Sequence, residues 1–373
     1  MKVLIVPDKF KGTLTALAAA NAMVCGWKKV RPHDQLELLP MSDGGDDFGE
    51  IIGQLLGAKT QRIETVDAAH RPMKTIWWRD IKNKIAIIDS AKIIGLAQLA
   101  FRKFHPFELD TFGLGKVLQA AADSDAKKCL IGIGGSATND SGFGMARALG
   151  WKFLGKDNFE IRDWWQLHKL AQIKKPTRQL PMKITIAIDV QNFLLGASGC
   201  TRIYGPQKGL RQEDFFWAEK CLRRLAKISA RQFGQDFSRL PGAGAAGGLG
   251  FGLMTFTGGK PKSGFELFAQ YSNLGKKIQR AHLVMTGEGS LDQQTLMGKG
   301  VGQIARLCQQ QNIPCLALAG MIPEPEKAKK IFTETRALTE ITSLENAKRQ
   351  PAKFLEKLAS QGARSWVERR SSF

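Results

Sequence analysis

The chain has 373 residues, and 55 Lys and Arg against 34 Asp and Glu give it a net charge of +21. The length exceeds the ~100–200 residues of a usual domain and predicts two lobes. Hydrophobic residues at 43% and charged residues at 24% exclude a disordered or collagen-like chain, and no run of ~18 apolar residues offers a membrane-spanning helix.

Lys2–Val6 is a β-branched run closed by Pro7, the pattern of a buried strand, and it is too short for a signal peptide. Thr13 and Thr15 precede an Ala-rich helix reaching Trp27. Leu36–Leu39 reads as a second strand, followed by a Gly-Gly loop and a helix over 48–56. Strand patterns recur at 63–66, 75–78 and 85–88. Residues 114–122 read as a helix, 129–133 as a strand and 142–149 as a helix. The segment 152–182 is looser, rich in Lys, and holds Trp164 and Trp165 just after Trp151. Residues 184–188 form another buried strand. The spacing of Phe215, Ala218, Leu222, Leu225 and Ala226 predicts an amphipathic helix. Late strands at 283–286, 315–319 and 336–338 alternate with helices near 301–311 and 324–332. Strands alternating with helices predict an α/β fold with mainly parallel sheets.

The six cysteines are scattered, with no Cys-x-x-Cys and no Cys/His cluster. They read as buried thiols of a reducing cytoplasm. Residues 101–285 carry 28 basic and 14 acidic groups and so hold +14 of the +21. The cations are interspersed with Asp and Glu, and no nucleic-acid signature accompanies them. A solvated basic surface is the better reading than a nucleic-acid patch.

Glycine-rich loops follow several strands. Gly132–Gly142 contains Gly134, Gly135, Ser136, Thr138, Asn139 and Asp140 between a strand and a helix. There glycines admit a ligand to the backbone, and free helix N–H groups attract anions. Neither a Walker A loop nor a dinucleotide fingerprint is present. A tight turn is the plainer reading, but four polar residues between glycines favour a ligand loop. Pro241–Gly252 contains Gly244, Gly247 and Gly248 and offers either a smooth wall for a phosphate or a close-packed Gly/Ala helix. Thr286–Gly300 carries Glu288 and Asp292, suited to a magnesium shell or substrate hydroxyls, with Lys299 to neutralise phosphate. Asp8 and Lys11 follow the first strand, Asp43 the second and Asp189 a later one, and Lys208 stands in Gly205–Gly209. Parallel sheets gather such loops on one edge. Carboxylates, lysines and glycine loops there suit phosphoryl transfer to a hydroxyl. None of the five histidines lies in these loops, which argues against a Ser/His hydrolase.

The segments Pro7–Gly12, Asp43–Gly45, Gly132–Asp140, Asp189–Asn192, Gly205–Gly209, Pro241–Gly250 and Thr286–Lys299 resemble, in order and wording, the type-1 glycerate kinase family. The resemblance implies a Rossmann-like (flavodoxin-like) lobe from both chain ends, 1–90 plus 285–373, with a second α/β lobe, 91–284, inserted, and a site in the cleft between them. It implies ATP with Mg²⁺ and D-glycerate as acceptor, 2-phosphoglycerate being the commoner product. Asp189 is the leading candidate to accept the hydroxyl proton, with Asp43 and Asp292 as alternatives and Lys11 as a charge partner. Gly134, Gly135, Ser136, Thr138, Asn139, Gly244, Gly247, Gly248, Lys208 and Lys299 are assigned to the nucleotide, and Glu288 and Asp140 to the metal. The wording departs from the family at Asp46–Phe48, 89–95 and Phe193, which leaves another small hydroxy acid as the alternative acceptor. A basic non-catalytic descendant that binds nucleic acid is the remaining alternative. A cytoplasmic enzyme with small-molecule substrates and no membrane partner is expected, and a homo-oligomer stays open.

Overall fold

A computed structural model describes residues 1–10, 12–45, 47–99, 103–298 and 300–371, with side chains of the last helix described to Trp366. The chain divides into two compact units, residues 1–42 with 268–373, and residues 43–267.

The first unit is built on five parallel strands in the order Glu334–Ala337, Cys315–Met321, Leu283–Ser290, Lys2–Pro7 and Gln35–Leu38. Numbered along the unit, that order is 2-1-3-4-5, the flavodoxin-like arrangement. Val3, Ile5, Leu283, Met285, Leu316 and Leu318 are buried in one cluster with Met23 and Trp27 from helix Ala16–Lys28 and Leu355 and Leu358 from helix Pro351–Ser371. The near-continuous apolar strand sequences follow from burial on both faces. Thr15 caps the first helix by accepting from the Ala18 N–H at 3.1 Å.

The second unit has a six-stranded sheet in the order Lys260–Lys262, Lys183–Ala187, Lys128–Gly132, Ile85–Asp89, Pro72–Asp80 and Lys59–Val66. The first four strands are parallel, and the last two run antiparallel to their neighbours. Helices Phe112–Asp123, Phe143–Ala148, Phe215–Phe233 and Ala245–Thr257 contribute to its core. The looser segment 152–182 holds a two-stranded ribbon, Lys152–Leu154 with Gln172–Lys174.

The unit boundaries lie at 42/43 and 267/268, which corrects the expected 90/91 and 284/285. Strand Ile85–Asp89 hydrogen-bonds in parallel to Lys128–Gly132 and brings its antiparallel partners with it. The whole of 43–90 is therefore inserted with the middle of the chain. Among the described residues no helix is long and apolar enough to cross a membrane.

Candidate active site

In the second unit the loops that leave the parallel strands converge. A Cβ on Gly44 would stand 3.0 Å from the Ala187 Cβ, one on Gly264 would overlap the Asp43 carbonyl, and one on Gly134 would overlap the backbone of Gly45. These close approaches bring Asp43, Asp189 and Ser263 into one cluster. Asp189 Oδ1 accepts from Ser263 Oγ at 2.7 Å, and Oδ2 accepts from the Phe265 N–H at 3.3 Å. Burial pushes the Asp189 carboxyl up to about 6, and the Asp43 charge adds to this. The Ser263 and backbone hydrogen bonds pull the other way. Asp43 Oδ1 accepts from the Gly45 N–H at 3.1 Å.

A second group of loops meets beside it. Lys208 is buried, and its ammonium donates to the Thr138 carbonyl at 2.6 Å. Burial lowers its pKa to about 8, against the Cys200 and Asp140 charges. Gly247 has φ +68°, and a Cβ there would overlap Thr138 O and stand 2.9 Å from Lys208 Nζ. An ammonium has three donors, so the one bond to Thr138 leaves capacity for an anionic ligand. Ser136 Oγ and Thr138 Oγ1 are 2.9 Å apart. Asn139 Nδ2 donates to Thr201 Oγ1 at 3.1 Å, while Asn139 Oδ1 and Ser141 Oγ are buried without a partner among the described residues. Buried polar atoms are nearly always paired, so such orphans mark a place where a ligand or water completes the set.

Not every assigned residue joins in. Gly134 and Gly135 pack toward 44–45 and 96, the Gly135 carbonyl accepting from the Leu96 N–H at 2.9 Å. Gly244 is glycine because a Cβ would overlap the Phe193 carbonyl. Asp140 is wholly buried, and its carboxylate accepts from Thr111 Oγ1 at 2.7 Å, Gly144 N–H at 2.9 Å, Thr111 N–H at 3.0 Å and Gly142 N–H at 3.2 Å. Burial and the Asp110 charge nonetheless raise its pKa. With its lone pairs taken by protein donors it anchors the start of helix Phe143–Ala148. The expected metal role for Asp140 is corrected on that ground.

In the first unit, Asp8 follows strand Lys2–Pro7 and Glu288 stands near the end of its neighbour Leu283–Ser290, Pro7 lying opposite Gly287 in the parallel register. This is where the strand order reverses, the place where open α/β sheets bind ligands. A Cβ on Gly300 would stand 3.8 Å from Glu288 Oε2 and 3.9 Å from Asp8 Oδ2, so the two carboxylates face a common point. Glu288 Oε1 accepts from Thr295 Oγ1 at 2.6 Å. Asp292 is exposed and caps helix Gln293–Leu296 through the Gln294 N–H at 2.8 Å. That position gives it a helix-capping role. Lys11, Asp46 and Lys299 lie outside the described residues.

Asp8 and Ser263 are the residues that the sequence reading left without a role. Asp8 was visible as a strand-end carboxylate. Ser263 was hidden because Lys260-Pro261-Lys262 does not read as a strand, Pro being confined to sheet edges, where this strand lies.

Two parallel-dominated α/β sheets with carboxylates and glycine loops at their strand ends, and a buried lysine at a helix end, make the kind of site that suits a small-molecule kinase. The chain belongs to the glycerate kinase family, whose pattern it matches over residues 3–367. It is 34% identical over 364 residues to the glycerate kinase of Halalkalibacterium halodurans, covering 96% of both chains. It is 34% identical over 329 residues to the glycerate 2-kinase of Escherichia coli, covering 87% of this chain and 86% of that one. A crystal structure from Salmonella typhimurium LT2, described as a "putative glycerate kinase 2", superposes with a TM-score of 0.83 at 29% identity, covering 100% of this chain and 99% of that one.

Proposed function

We propose that the protein transfers the γ-phosphoryl group of ATP to a hydroxyl of D-glycerate, with 2-phosphoglycerate as product. The observation that carries this reading is Asp189, a partly buried carboxylate with a pKa of about 6, held by Ser263 at 2.7 Å beside Asp43. A base of that pKa is ionised at neutral pH yet close enough to it to take a proton from an alcohol as the new O–P bond forms. The proton leaves the acceptor hydroxyl for an Asp189 oxygen. Lys208, with unused donors beside Gly247 and Thr138, fits the phosphate chain of the nucleotide.

The fit of Mg²⁺ rests on Asp8 and Glu288. Among the described residues no group of three or more His, Cys, Asp or Glu side chains forms a metal cage. Mg²⁺ needs none, since it commonly takes one or two carboxylates and completes its shell with water and phosphate oxygens. Asp8 and Glu288, which face a common point near Gly300, would hold it. When bound it neutralises phosphate charge and orients the transferred group.

A coupled assay of ADP release with D-glycerate, followed by phosphorus NMR of the product, tests the reading. Glycerate-dependent turnover and a resonance coupled to the C2 proton are expected. No ADP release with glycerate, alongside turnover on another small hydroxy acid, would favour the alternative acceptor. The observation behind that alternative is Phe193, 45% exposed beside Asn192 where the family commonly has proline.

A further inference from the structure

The basic segment 152–182 and its neighbouring Trp151 supply no residue to the site described above. Trp151, Lys175 and Arg178 instead meet Phe233, Thr255 and Phe256 around a separate cavity of about 250 Å³ in the second unit. None of its lining residues belongs to the loops that carry the candidate active site. Thr255 and Phe256 lie near the C-terminal end of helix Ala245–Thr257, while Gly247 and Gly248 lie near its start. At 1.5 Å per residue the two ends are separated by roughly 12 Å.

Three rings make the apolar wall. Trp151 packs edge-on against Phe233 at 5.5 Å and Phe256 at 5.2 Å between ring centroids. Lys175 Nζ lies 5.4 Å over the Phe233 ring. Arg178 is 73% exposed and makes only a loose 3.9 Å approach to Asp123, which does not line the cavity. Neither aspartate nor glutamate is among the lining residues. Thr255 Oγ1 is buried and has no hydrogen-bond partner among the described residues.

These features select a ligand class. Cations without a facing carboxylate favour an anion, and a guanidinium matches the two oxygens of a carboxylate. Aromatic walls favour a flat ring, which gains stacking and edge contacts that a saturated body does not. The volume lies below the ~300–1,000 Å³ of drug-sized pockets, too small for a nucleotide. A bare inorganic anion would leave the rings unused. We propose that this cavity binds a small aryl carboxylate, its carboxylate on Lys175 and Arg178 and its ring against Trp151, Phe233 and Phe256.

The test is calorimetric titration of the intact, substrate-free protein with 4-hydroxybenzoate, so its result does not depend on which acceptor the enzyme phosphorylates. Saturable binding is expected. The double variant Lys175→Ala/Arg178→Ala should bind about tenfold more weakly or worse, since charge-assisted bonds are lost. The control Lys156→Ala/Lys169→Ala removes the same charge from exposed positions outside the cavity and should bind as the parent does. Cyclohexanecarboxylate, of like size and charge, should bind several-fold more weakly. Near-UV circular dichroism checks that both double variants keep the native fold. Absence of saturation up to about 10 mM would overturn the proposal. So would equal loss in the two double variants, equal affinity for the saturated acid, or displacement of the ligand by inorganic phosphate at comparable concentration.

Discussion

Two opposing influences set the Asp189 carboxyl. Burial and the Asp43 charge raise it to about 6, while the Ser263 hydroxyl and the amides of 264 and 265 favour the charged form and hold it from rising further. If Asp189 takes the acceptor proton, turnover needs it ionised. The rate should then fall as pH drops through about 6 and level off above it. Asp189→Asn should cut kcat by ~10²–10⁴-fold, a size typical of losing a general base. A near-parental rate in that variant would remove Asp189 from the role. Ser263→Ala removes a bond to the charged form, so it should move the acid limb of the pH profile upward while Asp189 stays in place. An unmoved limb with a lowered rate would leave Ser263 a merely structural part. Asp189 was visible as a candidate because it follows a buried strand closely, at the edge where parallel sheets gather their ligand loops. The side chain that positions it was not, because the edge strand before Ser263 carries a proline.

At the scale of the element, the glycine-rich stretch after Ala245 shows how one composition serves two purposes. A Cβ on Gly250 would overlap the Gly242 carbonyl, and one on Gly252 would overlap the Ser141 carbonyl. From residue 249 onward the stretch is the close-packed helix that was one of its two readings, and its glycines are there for neighbouring backbone. Only at Ala246–Gly248, where three successive residues are left-handed, does it turn aside to meet Lys208 and Thr138. That kink is invisible in a stretch, 241–252, where half the residues are glycine. Helix Phe143–Ala148 teaches the converse, because its anchoring carboxylate Asp140 looks like a ligand in the sequence and is saturated in the fold. Asp140→Ala would strand buried donors of Thr111, Gly142 and Gly144, and it should lower unfolding stability by about 3 kcal/mol. Urea unfolding reads that loss. The Mg²⁺ concentration for half-maximal rate should stay where it is, and a large increase would return Asp140 to the metal.

For the whole molecule, the net charge changes meaning once the boundaries are known. Residues 43–267 carry 33 basic and 22 acidic groups, and the remaining residues carry 22 and 12. The excess is thus +11 in one unit and +10 in the other, not a property of an inserted lobe. The cations are interspersed with Asp and Glu and form no block of like charge for a polyanion, and polarisation assays should find only weak duplex-DNA binding that salt abolishes. Tight binding that survives ~200 mM salt would contradict this. The strand alternation made the α/β class legible, but strand partners are set by long-range packing, and no local pattern told that Ile85–Asp89 pairs with Lys128–Gly132. The pairing makes a direct prediction about folding. A fragment spanning 43–267 keeps all six strands and the buried Trp77, Ile88 and Ile131 of one core. It should unfold in one cooperative urea transition with near-UV circular dichroism intact beforehand. A fragment spanning 91–284 loses three strands, leaves the Lys128–Gly132 edge unpaired, and carries Phe268 to Val284 from the other unit's part of the chain. It should bind a hydrophobic dye and aggregate, as exposed edges and unfilled cores do. Cooperative unfolding of 91–284 with failure of 43–267 would place the boundaries back at 90 and 285.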